Sequence, residues 1–283
     1  MLLQHDVRDD HDALSANPGI TVRADPMGLA IDRGTGAMFV ADGTTGAILR
    51  IDDGEGHRRI ATVGHVGARG APAPIVGGIA ITPFGTLFAT HVGAGVEGSI
   101  ARLEPDGRIE MLDRLARDVW RLGVTYDVRE HTLYATQFHT SRFGAHDGSI
   151  IAIDLITGEP STILDGFGKP IGIAKVGSSL VVADARQRAV FRVDLRAGRA
   201  IQRLQLVGDL GRPDSICACG PDSVLVTSFD PEVGRGAVRR LWLDGRTQGI
   251  GSGPWDPAGV ATHRDRVFVA ARRTNKVLVF PLG

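Results

Sequence analysis

Lysine is nearly absent from this chain. Only Lys169, Lys175 and Lys276 occur, so almost all the basic charge is arginine. Coding bias accounts for that, and it leaves arginine clusters as candidate binders of carboxylate or phosphate. Cysteine is limited to Cys217 and Cys219. Residues two apart in a strand share a face, and their nearly parallel backbones do not favour a disulfide. Two thiols also fall short of the four ligands of a structural zinc. They read as buried free thiols, and a reducing, cytoplasmic setting is expected. Net charge is lacking too, because 32 Lys and Arg balance 32 Asp and Glu. A nucleic-acid groove or an anionic membrane is therefore a poor partner. No apolar run approaches the ~18 residues of a membrane span. The opening MLLQHDVRDDHDALSANPG has no basic stretch followed by an apolar one, so no signal peptide is expected. No G-x-S-x-G elbow, H-E-x-x-H or Walker sequence occurs, and no strand-to-helix context surrounds a G-x-G-x-x-G. Nucleotide chemistry and serine-hydrolase chemistry of the usual kinds thus lack support.

Glycine is plentiful, at 38 residues with 14 prolines, and points to many tight turns. It also marks a repeat. DPMGLAID, VGGIAIT, RLGVTYD, KPIGIAK, RPDSICA and DPAGVAT each precede a short apolar segment such as AMFVADG, TLFATH or SLVVAD. A third segment such as GSIIAID follows each time. Gly28, Gly78, Gly123, Gly172, Ser215 and Gly259 hold one equivalent position, at intervals of 43 to 50 residues. The segments are short, β-branched and alternating, without helical periodicity. A weaker fourth strand fits each gap, as in 58–63 and 108–112. Four strands per ~45 residues is the size of a propeller blade. The expected fold is all-β: a closed six-bladed β-propeller over 19–283, with 1–18 as an N-terminal tail. The sixth copy lacks a fourth strand, and residues 20–24 are expected to supply it and close the ring.

The repeat P-x-G-[IVL]-[AT], then [LM]-[FYV]-[VA]-[AT]-[DH], then G-x-[IV]-x-[RI]-[IVL]-[DE] resembles the SMP-30/gluconolactonase and NHL-repeat propellers. The resemblance spans about 20 to 283 and is specific for fold, while such folds host unrelated functions. It implies a lactonase-type site at the channel mouth. There, residues at the x of P-x-G hold a divalent cation, usually calcium, that polarises a carbonyl and activates water. The x residues in this chain are Met27, Gly77, Leu122, Ile171, Asp214 and Ala258. Asp214 in R-P-D-S matches the family's aspartate. Met27, Leu122 and Ile171 stand where the resemblance calls for oxygen ligands. One carboxylate cannot fill calcium's six to eight positions. The standard calcium site is therefore not expected, although Asp214 remains a candidate ligand for calcium or zinc.

Other candidates follow from strand geometry. The second strand of a blade ends where the first begins, which sets Asp42, His91, Gln137, Asp184, Ser228 and Arg272 around the same mouth. His91 and His139, in the glycine-bearing stretches after the second strands of copies two and three, are candidate bases or metal ligands beside Asp214. Asp42 and Asp184 are read as turn braces. Arg142 and Arg272 are candidate carboxylate binders. Trp120 and Trp255 are candidate pocket walls. With Met27, Leu122, Ile171 and Ala258 as an apolar floor, the substrate expected is a fairly apolar small molecule. The leading expectation is a small-molecule hydrolase, lactonase- or esterase-like. The alternative is a non-catalytic NHL-type propeller that binds a ligand or a protein. Aromatics make up only 5% of the chain, which speaks against a broad protein-binding patch.

Overall fold

The computed structural model describes residues 19–52, 56–63, 75–92, 98–139 and 147–283. A short strand, β1 (Ile20–Thr21), comes first. Blade one follows as β2 (Pro26–Ile31), β3 (Met38–Asp42), β4 (Ala47–Ile51) and β5 (His57–Thr62). Blade two is β6 (Ile75–Ile81), β7 (Leu87–Val92), β8 (Gly98–Leu103) and β9 (Ile109–Met111). Blade three is β10 (Trp120–Asp127), β11 (Thr132–Phe138), β12 (Gly148–Asp154) and β13 (Pro160–Phe167). Blade four is β14 (Pro170–Val176), β15 (Ser179–Asp184), β16 (Ala189–Arg196) and β17 (Arg199–Val207). Blade five is β18 (Arg212–Ala218), β19 (Ser223–Asp230), β20 (Arg235–Trp242) and β21 (Thr247–Gly253). Blade six is β22 (Asp256–His263), β23 (Arg266–Arg272) and β24 (Lys276–Pro281), with β1 beside β24.

Each blade is a four-stranded antiparallel sheet, consecutive in sequence except for β1 in blade six, and the six first strands touch one another in a closed cycle. This is an all-β six-bladed propeller. In blade six, Ile20 pairs with Val277 and Thr21 with Lys276. Residues 1–18, expected as a tail, lie outside the described residues. Among the described residues, no helix is long and apolar enough to cross a membrane.

The core is six apolar layers, one at each junction between blades. That explains the sequence of the second strands. SLVVAD in β15 is buried throughout, because both of its faces meet a neighbouring blade. Fully burying one such Leu or Val contributes about 1.5–3 kcal/mol. The fourth strands lie at the rim, and HRRIAT in β5 is accordingly mostly exposed or half-buried.

A β-bulge recurs in all six first strands, at the x-G dipeptide of the repeat. Register slips between Pro26 and Leu29, Val76 and Ile79, Arg121 and Val124, Pro170 and Gly172, Pro213 and Ile216, and Pro257 and Val260. A bulge frees its residues from the ladder and re-aims their side chains. In blades two, three and five a threonine takes up the freed N–H groups. The backbone N–H groups of Gly78, Gly123 and Ser215 donate to the hydroxyls of Thr90, Thr136 and Thr227 at 2.8, 2.9 and 2.9 Å. Those hydroxyls donate in turn to the carbonyls of Leu122, Ile171 and Ala258 in the next blade, at 3.1, 3.1 and 2.9 Å. Each threonine thus ties its own bulge to its neighbour's.

Candidate functional site

The bulges surround a cavity of about 1030 Å³ that follows the axis between the first strands. Met27, Gly77, Leu122, Ile171, Asp214 and Ala258 all line it. A second set of lining residues stands two positions earlier in the repeat. Strand alternation puts these on the same face, nearer the mouth. They are Ile75, Trp120, Lys169 and Arg212. The equivalents in blades one and six are Asp25 and Asp256.

The two sides of the mouth differ in character. Blades one to three contribute Met27, Ile75, Trp120 and Leu122. Blades four to six contribute Lys169, Arg212, Asp214 and Arg272. Arg272 Nη2 donates to Asp214 Oδ2 in a short ion pair, and the two side chains are only 20% and 14% exposed. Arg272 Nη1 lies 3.8 Å from Asp256 Oδ2, its cross-strand neighbour. Burial pushes the Asp214 carboxyl above the usual carboxylate range, and the Asp256 charge adds to this. The Arg272 and Arg212 guanidiniums oppose the rise without reversing it. Burial pushes the Lys169 ammonium below its ordinary value; Asp214 opposes this, while Arg212 and Arg272 add to it.

Asp184 holds this rim in place. It is fully buried at the end of β15. Its Oδ2 accepts from the N–H of Gly168 at 2.6 Å, and its Oδ1 from those of Lys169, Arg186 and Gln187 at 2.9, 3.0 and 3.0 Å. Asp42 braces the corresponding turn of blade one, accepting from the N–H groups of Asp25 and Thr44. Asp184→Ala strands several buried donors at once. The expected loss is roughly 2–3 kcal/mol, read by urea unfolding. A loss of only a few tenths would mean that water takes the carboxylate's place.

Of the residues singled out in the sequence, Met27, Trp120, Leu122, Ile171, Asp214, Ala258 and Arg272 meet at the cavity. His91 and His139 are not among its lining residues. His91 is 2% exposed in β7, between Val76 of β6 and Ser99 of β8. His139 follows β11, with Nδ1 3.9 Å from Asp118 Oδ2. Trp255 packs on Phe280 with ring centroids 6.0 Å apart, in an inter-blade layer away from the cavity lining. Arg142 lies outside the described residues. Pairing alternation alone also missed Lys169, Arg212 and Asp256. Their signal was present, because each stands two residues before an x position in the repeat.

The donor set does not fit calcium at the mouth. The side chains of Met27, Leu122, Ile171 and Ala258 offer no oxygen, and Asp214 already faces the guanidinium of Arg272. Among the described residues, no group of three or more His, Cys, Asp or Glu converges as a metal-ligand set.

The six-bladed fold recurs among solved structures. No protein-family model and no curated protein matches the sequence. Solved structures do match in shape. A gluconolactonase from Xanthomonas campestris superposes with a TM-score of 0.73 at 16% identity, over 94% of this chain and 88% of its own. A PQQ-bound aldose sugar dehydrogenase from Streptomyces coelicolor gives 0.70 at 17%, over 93% and 95%. A virginiamycin B lyase from Staphylococcus aureus, solved with quinupristin, gives 0.62 at 14%, over 94% and 98%. At these identities the likeness establishes the fold alone.

Proposed function

We propose that the chain is a lactone or ester hydrolase whose site is the channel mouth, working without the calcium of gluconolactonase-like sites. The observation that carries this is Asp214. It is the one carboxylate among six equivalent cavity positions, and it is set against an arginine on the border between the apolar and charged sides. A shared fold with a gluconolactonase supports the acyl class. Asp214 acts as the general base. It takes a proton from water while the water oxygen bonds to the acyl carbon. The ring C–O bond then breaks, and the proton passes to the departing alkoxide. Arg272 holds the Asp214 carboxylate in position. Its Nε, buried without a hydrogen-bond partner among the described residues, is a donor for the developing oxyanion. Met27, Trp120 and Leu122 hold the apolar part of the substrate.

The test is turnover of a panel of alkyl and aryl lactones and esters in the presence of a chelator. Asp214→Asn is expected to lower kcat by roughly 10²–10⁴-fold with little change in KM. The wild-type rate should rise with pH through a value above the ordinary aspartate range, as Asp214 loses its proton. Turnover that Asp214→Asn leaves intact sinks the assignment of the base. Absence of turnover across the panel sinks the hydrolase and leaves a ligand-binding propeller.

A further inference from the structure

The mouth holds two cations that hydrolysis of a neutral lactone does not use. Three cations, Lys169, Arg212 and Arg272, share the rim with the carboxylates Asp25, Asp214 and Asp256. Arg272 is engaged by Asp214 and Asp256. Among the described residues, Lys169 and Arg212 have no carboxylate within ion-pair distance. Each feels the charge of Asp214 and stands over an aromatic ring. Lys169 Nζ stands 5.5 Å from the centre of the Phe138 ring, and the Arg212 guanidinium 5.6 Å from that of Phe229. Both residues hold the same repeat position on adjacent blades, and both line the cavity. Both cations therefore stand at the rim without a direct ion pair among the described residues. Across the mouth stand Met27, Leu122 and Trp120, whose indole Nε1 is buried without a partner among the described residues.

We infer that the channel mouth binds an amphipathic carboxylate, with its head between Lys169 and Arg212 and its apolar body against Trp120, Leu122 and Met27. This rests on the mouth being the ligand site and names the class of ligand that it takes. A carboxylate offers one oxygen to each of the two cations. A phosphate monoester carries ~1.5–2 negative charges at neutral pH, and the carboxylates of Asp214 and Asp256 beside the cations disfavour the second of them. A neutral sugar lactone would leave the two cations unused, and the wall of Met27, Leu122 and Trp120 offers few partners for its hydroxyls. Guanidinium and ammonium groups bind carboxylates through short charge-assisted hydrogen bonds, and partial desolvation in a cavity strengthens them. Burial first, and then the charges of Arg212 and Arg272, lower the proton affinity of Lys169 against the opposing charge of Asp214, and an incoming anion would add to that opposition.

Isothermal titration at low salt with octanoate, 4-phenylbutyrate and 4-phenylbutyramide tests this inference. The carboxylates should bind, and the amide should bind at least about tenfold more weakly than its acid. Lys169→Met and Arg212→Gln should each weaken 4-phenylbutyrate about tenfold and leave the amide unchanged. Arg212 is exposed, so its variant keeps the test open if Lys169→Met does not fold. Inorganic phosphate serves as competitor, and displacement of 4-phenylbutyrate at equal concentration would overturn the choice of a carboxylate. Equal affinity for acid and amide, or no binding of either carboxylate, overturns the inference outright. So does a carboxylate affinity that both variants leave intact. The hydrolase reading fails separately. Carboxylate binding without turnover of any lactone or ester removes the hydrolase and keeps the anion site. Turnover of neutral lactones that the carboxylates do not inhibit does the reverse.

Discussion

Gly123→Ala is expected to lower stability by about 3 kcal/mol or more, although it adds a single methyl group. A Cβ at Gly123 would stand 2.1 Å from the carbonyl oxygen of Ile171 and 2.9 Å from the hydroxyl of Thr136. The first of these is backbone of the next blade and cannot rotate away. Gly28, Gly78, Gly172 and Gly259 meet their neighbours in the same way, at 2.1, 2.5, 2.5 and 2.4 Å from the carbonyls of Gly77, Leu122, Asp214 and Met27. The contacts run around the ring, so one blade cannot move outward without disturbing both of its junctions. Interiors this close-packed transmit strain rather than absorb it. The drop in melting temperature should be roughly 6 °C or more. The fifth position is the informative contrast. Ser215 replaces glycine there, and its hydroxyl accepts from the backbone N–H of Val260 at 3.3 Å, so that junction already holds a side chain. Ser215→Ala should cost about 1 kcal/mol, the worth of one hydrogen bond. Gly56→Ala, with none of the described residues near its Cβ, should be neutral or slightly stabilising. A melting temperature that Gly123→Ala leaves unchanged would show that the ring can widen, and the close-approach account of the repeat glycine would fall.

That glycine is also why the architecture could be read in the sequence. A position that only glycine or a small residue can fill recurs once per blade, and it carries the repeat through otherwise diverged copies. The x residue beside it was legible for the same reason, because the bulge that brings the glycine against the next blade turns x into the channel. Polar residues were harder to place. Strand alternation tells which face a side chain takes, but not whether backbone groups engage it first. Asp184 and Gln137 share a repeat position at the mouth, yet both are engaged internally. Asp184 caps a turn, and Gln137 Oε1 accepts from the guanidinium of Arg121 at 2.8 Å. Arg121 itself is 1% exposed, an arginine that charge alone would have put at the surface. It also donates to the carbonyls of Gly98 and Ala116, at 3.1 and 2.7 Å, across the junction with blade two. The pairing of Arg272 with Asp214 was beyond sequence reasoning, because it links two blades across 58 residues and depends on the width of one junction.

The far end of the channel carries the second large expected effect. Lys175 Nζ lies 3.0 Å from Asp127 Oδ2, and the two side chains are 15% and 6% exposed. Both residues line the cavity. Burial alone would raise the Asp127 pKa. The Lys175 hydrogen bond and charge, with the N–H groups of Arg129 and Glu130, more than reverse this and hold the carboxyl below its ordinary range. In the wild type, then, Asp127 contributes stability that is present above pH ~4 and lost as pH falls through its lowered folded value. Lys175→Met keeps much of the side-chain volume and removes the counter-charge. Breaking one side of a buried pair costs about 3–5 kcal/mol, because the carboxylate is left without its partner. With burial less opposed, the Asp127 pKa should move above the ordinary value, and the sign of the linkage inverts. The contribution of Asp127 is then largest below pH ~4 and is lost as pH rises through the raised value. Urea unfolding at pH 5 and pH 7 separates the two cases. The variant should recover part of its loss at the lower pH, whereas the wild type should not gain. Lys175→Met combined with Asp127→Asn should restore most of the stability at pH 7, since the uncompensated charge is then gone. If the variant and the wild type change in parallel with pH, Asp127 is solvated through the open channel, and the pair contributes no more than a surface ion pair.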